Sequence, residues 1–272
     1  MEIKNHRFFG EDICSGYKSK KVLKNLKIHI PEHKISALIG PNGSGKSTLL
    51  KTLSNLIPTT SGKIFLDGKD IYKFSSKKLA RILGILPQEF NAPQGLKVID
   101  LVSRGRFPHH SIFSNLNRND EKITIQSLKT MGILSLAKKN VDEISGGQKQ
   151  RAWIAMVLSQ QTDILFLDEP TIHLDLNYQM EILDSLVVLN QKKGTTIVMI
   201  LHNINLVSLY ADYIFALKKG CLIKQGTPNK TITKGLIKKI FNLDSSVISN
   251  PVYHCPYVIP FSRTKEKYKK LS

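Results

Sequence analysis

The sequence predicts an α/β protein whose parallel-sheet core is interrupted by a mostly helical segment. Two short apolar runs, at 164–167 and 196–201, have the length and composition of strands that are buried on both faces of a parallel sheet. A third run, at 35–39, leads directly into a glycine-rich loop, and a helical pattern follows that loop. From about 88 to 159, prolines stand at the entry and helical periods dominate afterwards, which predicts an insertion.

Local patterns define the elements of the first part of the chain. Ile28 and Ile30 alternate with polar residues, as in a half-buried strand, and residues 48–56 form the helical pattern after the glycine loop. Pro58 and the Thr-Thr-Ser-Gly cluster that follows it are expected to end that helix. The run 63–66, followed by an Asp-Gly turn, predicts one arm of a hairpin.

Helical spacing marks the middle of the chain, and strand patterns return after it. Apolar residues recur at helical intervals at Ile123, Leu128, Met131 and Leu134. The runs 213–217 and 221–223, joined by a Lys-Lys-Gly turn, predict a late hairpin. Beyond about residue 230 we expect a helix and then an irregular end.

Composition is that of a globular chain of 272 residues, with 41% hydrophobic and 22% charged residues. It contains no run of 18 or more apolar residues, the length that a membrane-spanning helix needs. The N-terminal segment 1–14 lacks the apolar core of a secretory signal and predicts a strand, so the expected compartment is the cytosol.

Cysteines and histidines do not predict a metal centre. Cys14, Cys221 and Cys255 are far apart, which argues against a disulfide framework or a zinc site. His109 and His110 are adjacent, but they follow a proline in a predicted loop, where we expect them to be solvated rather than to bind a metal.

The net charge of +19 has three candidate explanations. Lysine is abundant on segments expected to be solvated, such as 18–21 and 77–78, and this is the simplest of them. An anionic membrane surface and a nucleic acid are the other two. Because no basic segment is interleaved with aromatic residues, a nucleic-acid partner is not expected.

A phosphate-binding loop is predicted at residues 40–48, which fit the pattern G-x-x-x-x-G-K-S between a predicted strand and a helix. Glycines let the backbone N–H groups approach phosphate oxygens, and the positive end of the following helix favours the anion. Lys46 is expected to reach the β- and γ-phosphates, and the Ser47 hydroxyl to hold Mg²⁺. The candidate ATP-binding residues here are Gly40, Pro41, Asn42, Gly43, Ser44, Gly45, Lys46, Ser47 and Thr48.

Two acidic residues, Asp168 and Glu169, directly follow the apolar run at 164–167. Unpaired buried charge is costly, so a metal ion and a water molecule are the partners that such acids need. Asp168 is placed to bind Mg²⁺, and Glu169 is placed to act as the general base that polarises the attacking water.

A second loop, Ser145-Gly146-Gly147-Gln148, precedes those acids by one predicted helix. Its small residues can approach a phosphate that another copy of the domain already holds, because backbone N–H groups and a serine hydroxyl at a helix start are anion donors. The combination of the two loops and the acidic pair predicts an ATPase whose site is completed by a second copy.

These motifs resemble the ATP-binding cassette (ABC) family over nearly the whole chain. The resemblance implies a P-loop NTPase core with an antiparallel β subdomain and an inserted α-helical subdomain. It places a core at 1–87 and 160–230, a helical subdomain at 88–159, and an extension at 231–272.

The resemblance also implies roles for residues that spacing alone leaves open. Gln88 matches a glutamine that senses Mg²⁺ and the attacking water, and His202 matches a histidine that contacts the γ-phosphate. Asp175 matches a residue that links the two sites of the dimer, and Tyr17 matches an aromatic residue that stacks on adenine. The 145–148 loop is expected to contact the γ-phosphate bound by the other copy.

Four residues depart from the commonest family pattern without removing a catalytic group. Ile144 replaces a leucine before the 145–148 loop, and Ile172-His173 replaces Ser-Ala. Asn203 stands where an aspartate commonly follows the histidine.

One cassette without a membrane domain resembles the separate ATPase subunit of a bacterial importer. The stretches 102–108, 152–158, 171–179 and 194–205 resemble the importer group for ferric siderophores, haem and cobalamin, with ferric hydroxamate uptake the nearest match. Haem, cobalamin and zinc or manganese stay open as alternative cargoes, since other subunits select cargo.

The resemblance implies ATP and Mg²⁺ as cofactors and a homodimer as the working form. Integral-membrane permease subunits, and indirectly an extracytoplasmic substrate-binding protein, are the implied partners, which would hold the chain at the cytoplasmic face of the membrane. A soluble nucleic-acid-associated ATPase is the remote alternative. A regulator that binds ATP without turnover is a further one, and Glu169 and His202 argue against it.

Overall fold

A computed structural model describes residues 7–18, 20–88, 91–110, 117–172, 174–262 and 264. By their internal contacts the residues divide into two compact units. The first unit comprises Met1–Phe8, Glu32–Lys34 and Phe65–Met199, and the second comprises Phe9–Pro31, Ile35–Ile64 and Ile200–Ser272. Within the described part of the chain, no helix combines the length and the apolarity needed to cross a bilayer.

Several strands follow one another at the beginning of the chain, and helices predominate between β6 and β7. The strands are β1 (Phe8–Tyr17), β2 (Lys20–Ile30), β3 (Ile35–Ile39), β4 (Thr59–Leu66), β5 (Lys69–Asp70), β6 (Leu83–Leu86), β7 (Ile164–Leu167), β8 (Thr196–Ile200), β9 (Tyr213–Lys218), β10 (Cys221–Gly226), β11 (Ser245–Ser249) and β12 (Pro256–Pro260). The helices are α1 (Lys46–Leu53), α2 (Ser76–Ile82), α3 (Val98–Ser103), α4 (Arg118–Thr130), α5 (Gly146–Ser159), α6 (Leu176–Lys193), α7 (Ile204–Tyr210), α8 (Pro228–Thr231) and α9 (Lys234–Phe241).

A parallel arrangement of β6, β7 and β8 forms the strand layer of the first unit. Leu83 pairs with Ile164, which in turn pairs with Thr196 on the other side. All four residues of β7 are buried, as expected for a strand with neighbours on both sides and helices over its faces. The predicted strands at 164–167 and 196–201 are thereby confirmed.

In the second unit, β3 pairs parallel with β9, and β9 pairs antiparallel with β10. Every residue of β3 is buried, so the loop that follows it starts from a fixed position. Strands β2, β1 and β4 lie side by side in another sheet. The predicted hairpin at 213–223 is confirmed as β9 and β10.

The first helix and the strand after it begin earlier than their local patterns predict. Helix α1 starts at Lys46 and ends at Leu53, and the Thr-Thr-Ser-Gly cluster lies inside β4 instead of forming a turn. The glycine in that cluster has φ 85°, and a Cβ there would lie 2.4 Å from the carbonyl oxygen of Asp12. Glycine at this position therefore permits a close backbone approach within a strand.

The prediction that His109 and His110 are solvated is wrong. His109 Nε2 lies 2.7 Å from the carbonyl oxygen of Gln160, and His110 Nε2 lies 2.8 Å from Asp120 Oδ2. A 3₁₀ turn over Arg104–His109 carries both residues back onto neighbouring helices. Their polar partners are distant in sequence, so local composition could not indicate them.

The prediction of an irregular end is also wrong. After α9, the chain forms an antiparallel hairpin of β11 and β12, with Val247 opposite Val258. Asn250 Oδ1 accepts hydrogen bonds from the backbone N–H groups of Val252 and Tyr253, which closes the turn. Prolines at both ends of β12 weaken the strand signal in the sequence.

Candidate functional site

The predicted phosphate-binding loop joins buried strand β3 to helix α1 within the second unit. Helix α1 begins directly after Gly45, whose φ is 101°. Lys46 is buried, and its Nζ donates to the carbonyl oxygens of Gly40, at 2.9 Å, and of Pro41, at 3.2 Å. An ammonium group at the positive end of a helix is a suitable environment for a phosphate.

Gly40 shows why this loop needs glycine. Its φ is 152°, and a Cβ there would lie 2.3 Å from the carbonyl oxygen of Leu217 in β9 and 2.7 Å from Ser44 Oγ. Any side chain would push the loop away from β9. The Ser44 hydroxyl is buried and has no hydrogen-bond partner among the described residues. The backbone of the loop runs close to β9, and a buried hydroxyl group lacks a hydrogen-bond partner. Both features fit a loop that binds an anionic ligand.

The remaining predicted residues of this loop differ in how accessible they are to solvent. Asn42 and Gly43 are exposed, and a Cβ added to Gly43 would meet nothing within 4 Å. Ser47 is half-buried and Thr48 is buried in the first turn of α1. The loop thus has an open side at its tip and a packed side against β9.

In the first unit, Asp168 and Glu169 lie where β7 ends. The Asp168 backbone N–H donates to the carbonyl oxygen of Leu86 at the end of β6, at 2.9 Å. Both acidic side chains are buried. Glu169 has φ 55°, a left-handed conformation that is uncommon for a residue other than glycine and that recurs at functional sites.

Gln88 and Glu169 are in direct contact. Gln88 Nε2 donates to Glu169 Oε2 at 3.1 Å, across 81 positions of sequence. Gln88 follows β6 and Glu169 follows β7, and these strands are parallel neighbours, so their carboxyl ends bring the two side chains together. The structure therefore unites Gln88, Asp168 and Glu169 at one edge of the sheet.

The 145–148 loop starts the long helix α5. Ser145 is its N-cap, and Ser145 and Gln148 form a reciprocal capping box: Gln148 N–H donates to Ser145 Oγ at 3.3 Å, and Ser145 N–H donates to Gln148 Oε1 at 3.0 Å. Gly146 is exposed, and a Cβ on it would meet nothing within 4 Å. The loop is therefore rigid at its cap and open at its glycine.

Helix α5 is tied to the segment that follows Glu169. Gln150 Nε2 donates to the carbonyl oxygen of Pro170 at 3.0 Å. Arg151 forms an ion pair with Glu181 on α6, and its guanidinium lies 4.8 Å from the ring centroid of Tyr178. The 145–148 loop is consequently held in a fixed position relative to the segment after the acidic pair.

A small cavity adjoins this loop. It has a volume of about 220 Å³, and its walls include Ser145, Gly147, Gln148, Arg151 and Tyr178. The cavity brings the predicted loop together with Arg151 of α5 and Tyr178 of α6, which the sequence analysis did not select as site residues.

Asp175, His202 and Tyr17 are each exposed. Asp175 is the N-cap residue of α6, but its carboxylate makes no capping hydrogen bond. His202 follows β8 and precedes α7, whose N-cap is Asn203. Tyr17 is the last residue of β1, and the strand that follows it reaches the phosphate loop, since a Cβ on Gly45 would lie 3.0 Å from Leu23 Cδ2.

The departure at Asn203 has a structural explanation. Asn203 Oδ1 accepts hydrogen bonds from the backbone N–H groups of Asn205, at 3.0 Å, and Leu206, at 3.3 Å. Asparagine and aspartate cap helices about equally well, so the first turn of α7 is retained. Of the other departures, Ile144 is buried and His173 lies outside the described residues.

Comparison with known proteins decides the family. The sequence profile of the ABC transporter family matches residues 23–172. The chain belongs to the ABC transporter family.

Curated relatives of this ABC protein extend over almost its full length. The ferric enterobactin transport ATP-binding protein FepC of Escherichia coli (strain K12) is 43% identical over 258 residues, which cover 95% of this chain and 95% of FepC. The iron(3+)-hydroxamate import ATP-binding protein FhuC of Bacillus subtilis (strain 168) is 43% identical over 257 residues, covering 94% of this chain and 96% of FhuC.

Solved structures of ABC proteins share the fold. An inward-facing metal-chelate type ABC transporter matches with a TM-score of 0.82 at 27% identity, covering 96% of this chain and 99% of that one. A dimeric ATP-binding cassette in a post-hydrolysis state with ADP and phosphate matches with a TM-score of 0.72 at 26% identity, covering 81% and 98%. The predicted α/β fold of an ABC ATPase is confirmed, and this ABC protein is an ATPase that binds ATP.

Gln150, Arg151 and Glu181 are site-supporting residues that the sequence analysis missed. Gln150 and Arg151 lie within the helix that the 145–148 loop starts, so their position beside that loop was visible in the sequence. Their partners are Pro170 for Gln150 and Glu181 for Arg151, which lie 20 and 30 positions further along the chain, at separations that no short motif specifies. Only the tertiary structure, in which α5 contacts both Pro170 and α6, identifies the pairs.

Proposed function

We propose that this chain is the ATP-hydrolysing subunit of a bacterial importer of ferric siderophores. FepC and FhuC, each 43% identical to it over nearly the whole chain, are named for ferric enterobactin transport and iron(3+)-hydroxamate import. In this proposal the chain works as a homodimer at the cytoplasmic face of the membrane, attached to permease subunits that receive cargo from an extracytoplasmic binding protein.

The phosphate loop would hold ATP, and each residue has a chemical reason for its role. The Lys46 ammonium group would exchange its two carbonyl contacts for phosphate oxygens, and the backbone N–H groups of the non-proline residues in 40–45 would donate to the same phosphates. Tyr17 would stack on adenine. Gln88 and Glu169 would position and deprotonate the attacking water, and His202 would contact the γ-phosphate.

Mg²⁺ would be held by Ser47, Gln88 and Asp168. These side chains offer a hydroxyl, an amide and a carboxylate, an all-oxygen donor set of the kind that Mg²⁺ prefers. When bound, magnesium would neutralise the negative charge that develops on the β- and γ-phosphates. The residues present therefore fit the ion.

Dimer closure would couple hydrolysis to transport. Ser145, Gly146, Gly147 and Gln148 of one copy would contact the γ-phosphate bound by the other, and Asp175 would link the two sites. The higher affinity of ATP for the closed dimer supplies the free energy of the conformational change. The segment 88–159 is proposed as the subdomain that transmits closure to the permease.

The hydrogen bond from Gln88 to Glu169 is the observation that supports hydrolysis most directly. Uptake of labelled ferric enterobactin and of a labelled ferric hydroxamate tests the cargo, in cells that lack their own siderophore ATPases and carry wild-type protein or Glu169→Gln. We expect uptake of one siderophore class with wild-type protein and none with Glu169→Gln.

Glu121→Gln is the matched control, since Glu121 is an exposed acid on α4. Wild-type uptake with this variant would show that loss of a carboxylate alone does not abolish transport. Equal uptake with wild-type protein and Glu169→Gln, at equal expression, would contradict the proposal.

A further inference from the structure

The backbone at Glu169 adopts a conformation that its own sequence disfavours. Its φ is 55°, in the left-handed region, which is uncommon for any residue other than glycine. The next residue is Pro170, and a residue that precedes a proline prefers an extended backbone with φ near about −120°. A conformation of this kind persists only where surrounding contacts hold it. The contacts that fix the peptide groups on either side of Glu169 therefore determine where its carboxylate lies.

These contacts come from the sheet on one side and from α5 on the other. Before Glu169, the Asp168 N–H donates to the carbonyl oxygen of Leu86 at 2.9 Å. After Glu169, the side chain of Gln150 holds the chain, because its Nε2 donates to the Pro170 carbonyl oxygen at 3.0 Å. Gln150 and Pro170 are both buried. A buried carbonyl group needs a hydrogen-bond donor, and here the donor is an amide from another element.

Helix α5 makes a second close contact with the same part of the chain. A Cβ on Gly147 would lie 3.0 Å from Leu174 Cδ2, so the first turn of α5 packs tightly there. Between the two contacts, the Ile172 N–H donates to the Glu169 carbonyl oxygen at 3.2 Å. Helix α5 spans 14 residues and begins with a reciprocal capping box, which makes it a firm support. Pro170 and Leu174 therefore both take their positions from α5.

We propose that Gln150 is a positioning residue for Glu169, the general base of the proposed function, on which this inference rests. Gln150 acts on the backbone: it holds the Pro170 carbonyl group and, through it, the left-handed conformation of Glu169. Gln88 acts on the side chain, since its Nε2 donates to Glu169 Oε2 at 3.1 Å. The carboxylate is thus oriented by two amides from different elements, one that fixes its backbone and one that fixes its oxygen atom.

A positioning role and a structural role predict different effects on the rate. If Gln150 only satisfied a buried carbonyl group, its loss would lower the free energy of unfolding and leave the rate of each folded molecule unchanged. If Gln150 positions Glu169, its loss lowers kcat in fully folded protein, because a general base displaced by about 1 Å can lose up to roughly 10²-fold in rate. The affinity for ATP stays constant in both cases, since the phosphate loop is not altered.

Gln150→Met tests the proposal, because methionine is similar in length but has no N–H group to donate. The matched control is Gln160→Met: Gln160 is the C-cap residue of α5, and its Nε2 donates to the Ala80 carbonyl oxygen. Both variants thus lose a glutamine hydrogen bond to a backbone carbonyl group, at opposite ends of one helix.

Phosphate release by the purified full-length chain gives kcat, a fluorescent ATP analogue gives the affinity, and urea unfolding shows that each variant is folded under the assay conditions. We expect kcat of Gln150→Met to fall at least about tenfold with unchanged affinity for ATP. Gln160→Met should retain the kcat of wild-type protein. If Gln150→Met does not fold, Gln150→Asn takes its place, since it keeps the amide but is one methylene too short to reach Pro170.

A double variant shows whether Gln150 acts through Glu169. Losses of rate multiply for independent residues and fall short of the product for residues that act through the same group. We therefore expect Gln88→Ala/Gln150→Met to lose less than the product of the two single losses. Gln88→Ala/Gln160→Met should have the kcat of Gln88→Ala alone.

Three results would overturn the positioning role. They are a wild-type kcat in folded Gln150→Met, equal losses of kcat in Gln150→Met and Gln160→Met, and losses that multiply fully in Gln88→Ala/Gln150→Met. Glu169→Gln separates this inference from the proposed function. If Glu169→Gln releases no phosphate while Gln150→Met keeps the wild-type kcat, the positioning role alone is wrong. If Glu169→Gln releases phosphate at the wild-type rate, the role of Glu169 in the proposed function is wrong.

Discussion

Gln88 Nε2 donates a hydrogen bond to Glu169 Oε2 at 3.1 Å, so the proposed water-sensing amide already orients the proposed general base. Glu169 is buried with φ 55°, and its backbone leaves it few alternative positions. An amide donor keeps the carboxylate pointed along one direction without adding charge. The hydrogen bond thus connects the residue that follows β6 to the proposed general base that follows β7.

Gln88→Ala should lower kcat at least about tenfold with little change in ATP affinity. A general base that is displaced by about 1 Å can lose up to roughly 10²-fold in rate, whereas the phosphate contacts of the loop stay intact. Phosphate release and ATP binding measure the two quantities. Gln225→Ala, at an exposed position of β10, is the control and should behave as wild type. An unchanged kcat in Gln88→Ala would show that the hydrogen bond has no catalytic role.

Glu169→Gln should trap an ATP-bound dimer. The amide retains the size of the carboxylate but cannot accept the proton of the attacking water, so ATP stays bound and the closed form accumulates. Size-exclusion chromatography with ATP and Mg²⁺, compared with ADP and Mg²⁺, measures this. A protein that stays monomeric with ATP would contradict the role assigned to Glu169.

Lys46→Ala should weaken ATP binding by about 10- to 100-fold. The ammonium group donates to two carbonyl oxygens of the loop. When ATP binds, phosphate oxygens would take the place of these carbonyl oxygens, and the charge-assisted hydrogen bonds that form would contribute about 1.5–3 kcal/mol to binding. Titration with a fluorescent ATP analogue measures the affinity. Lys51→Ala, in the last turn of the same helix, removes a cation without touching the loop. Normal affinity in Lys46→Ala would contradict the assignment of the loop.

Motifs with a fixed local geometry were predictable from the sequence, and tertiary contacts were not. The glycine loop before Lys46 and the acids after β7 follow directly from strand-to-helix and strand-end patterns, and the structure has them where the sequence predicts. The surroundings of His110 were missed because its partner Asp120 belongs to a different element, α4, and carries no pattern of its own that points to His110. The C-terminal hairpin was missed because the backbone N–H and carbonyl groups of Val258 in β12 are bound by Asn205, which is distant in sequence.

Arg151→Ala should reduce kcat about tenfold while destabilising the fold little. Glu181 is about half exposed, and ion pairs of that kind contribute roughly 0.2–1 kcal/mol to stability. The guanidinium also donates to the Met131 carbonyl oxygen at 3.3 Å and lies over Tyr178, so its loss should release the helix that carries the 145–148 loop.

Arg151→Ala leaves the phosphate loop of its own chain unchanged, so its affinity for ATP should stay constant while kcat falls. Arg151→Lys keeps the charge but not the planar, multidentate contact, and should recover only part of the rate. If Arg151→Ala lost stability and kcat in parallel, and Arg151→Lys recovered both fully, the positive charge of Arg151 would serve only to stabilise the fold.

Asp120 should stabilise the first unit above about pH 4 and cease to do so as pH falls towards 2. Burial raises the pKa of Asp120, but hydrogen bonds from the Asn117 backbone, Arg106 and His110 outweigh it and lower the pKa from 3.8 to about 2. The unfolded chain therefore binds the proton more readily, and the pairing contributes roughly 2 kcal/mol above the unfolded pKa. Since Arg106 also donates to Ser159, the contribution holds α4 against the end of α5.

Urea unfolding followed by the fluorescence of Trp153, the single tryptophan and a residue of α5, measures this contribution. Asp120→Asn should lose about 2 kcal/mol or more of unfolding free energy at pH 7 and at pH 5, and the difference from wild type should shrink below about pH 4. Glu121→Gln, on the same turn of α4 but exposed, should lose far less at every pH. A difference between Asp120→Asn and wild type that stays constant down to pH 3 would mean that the side chain packs there without depending on its charge.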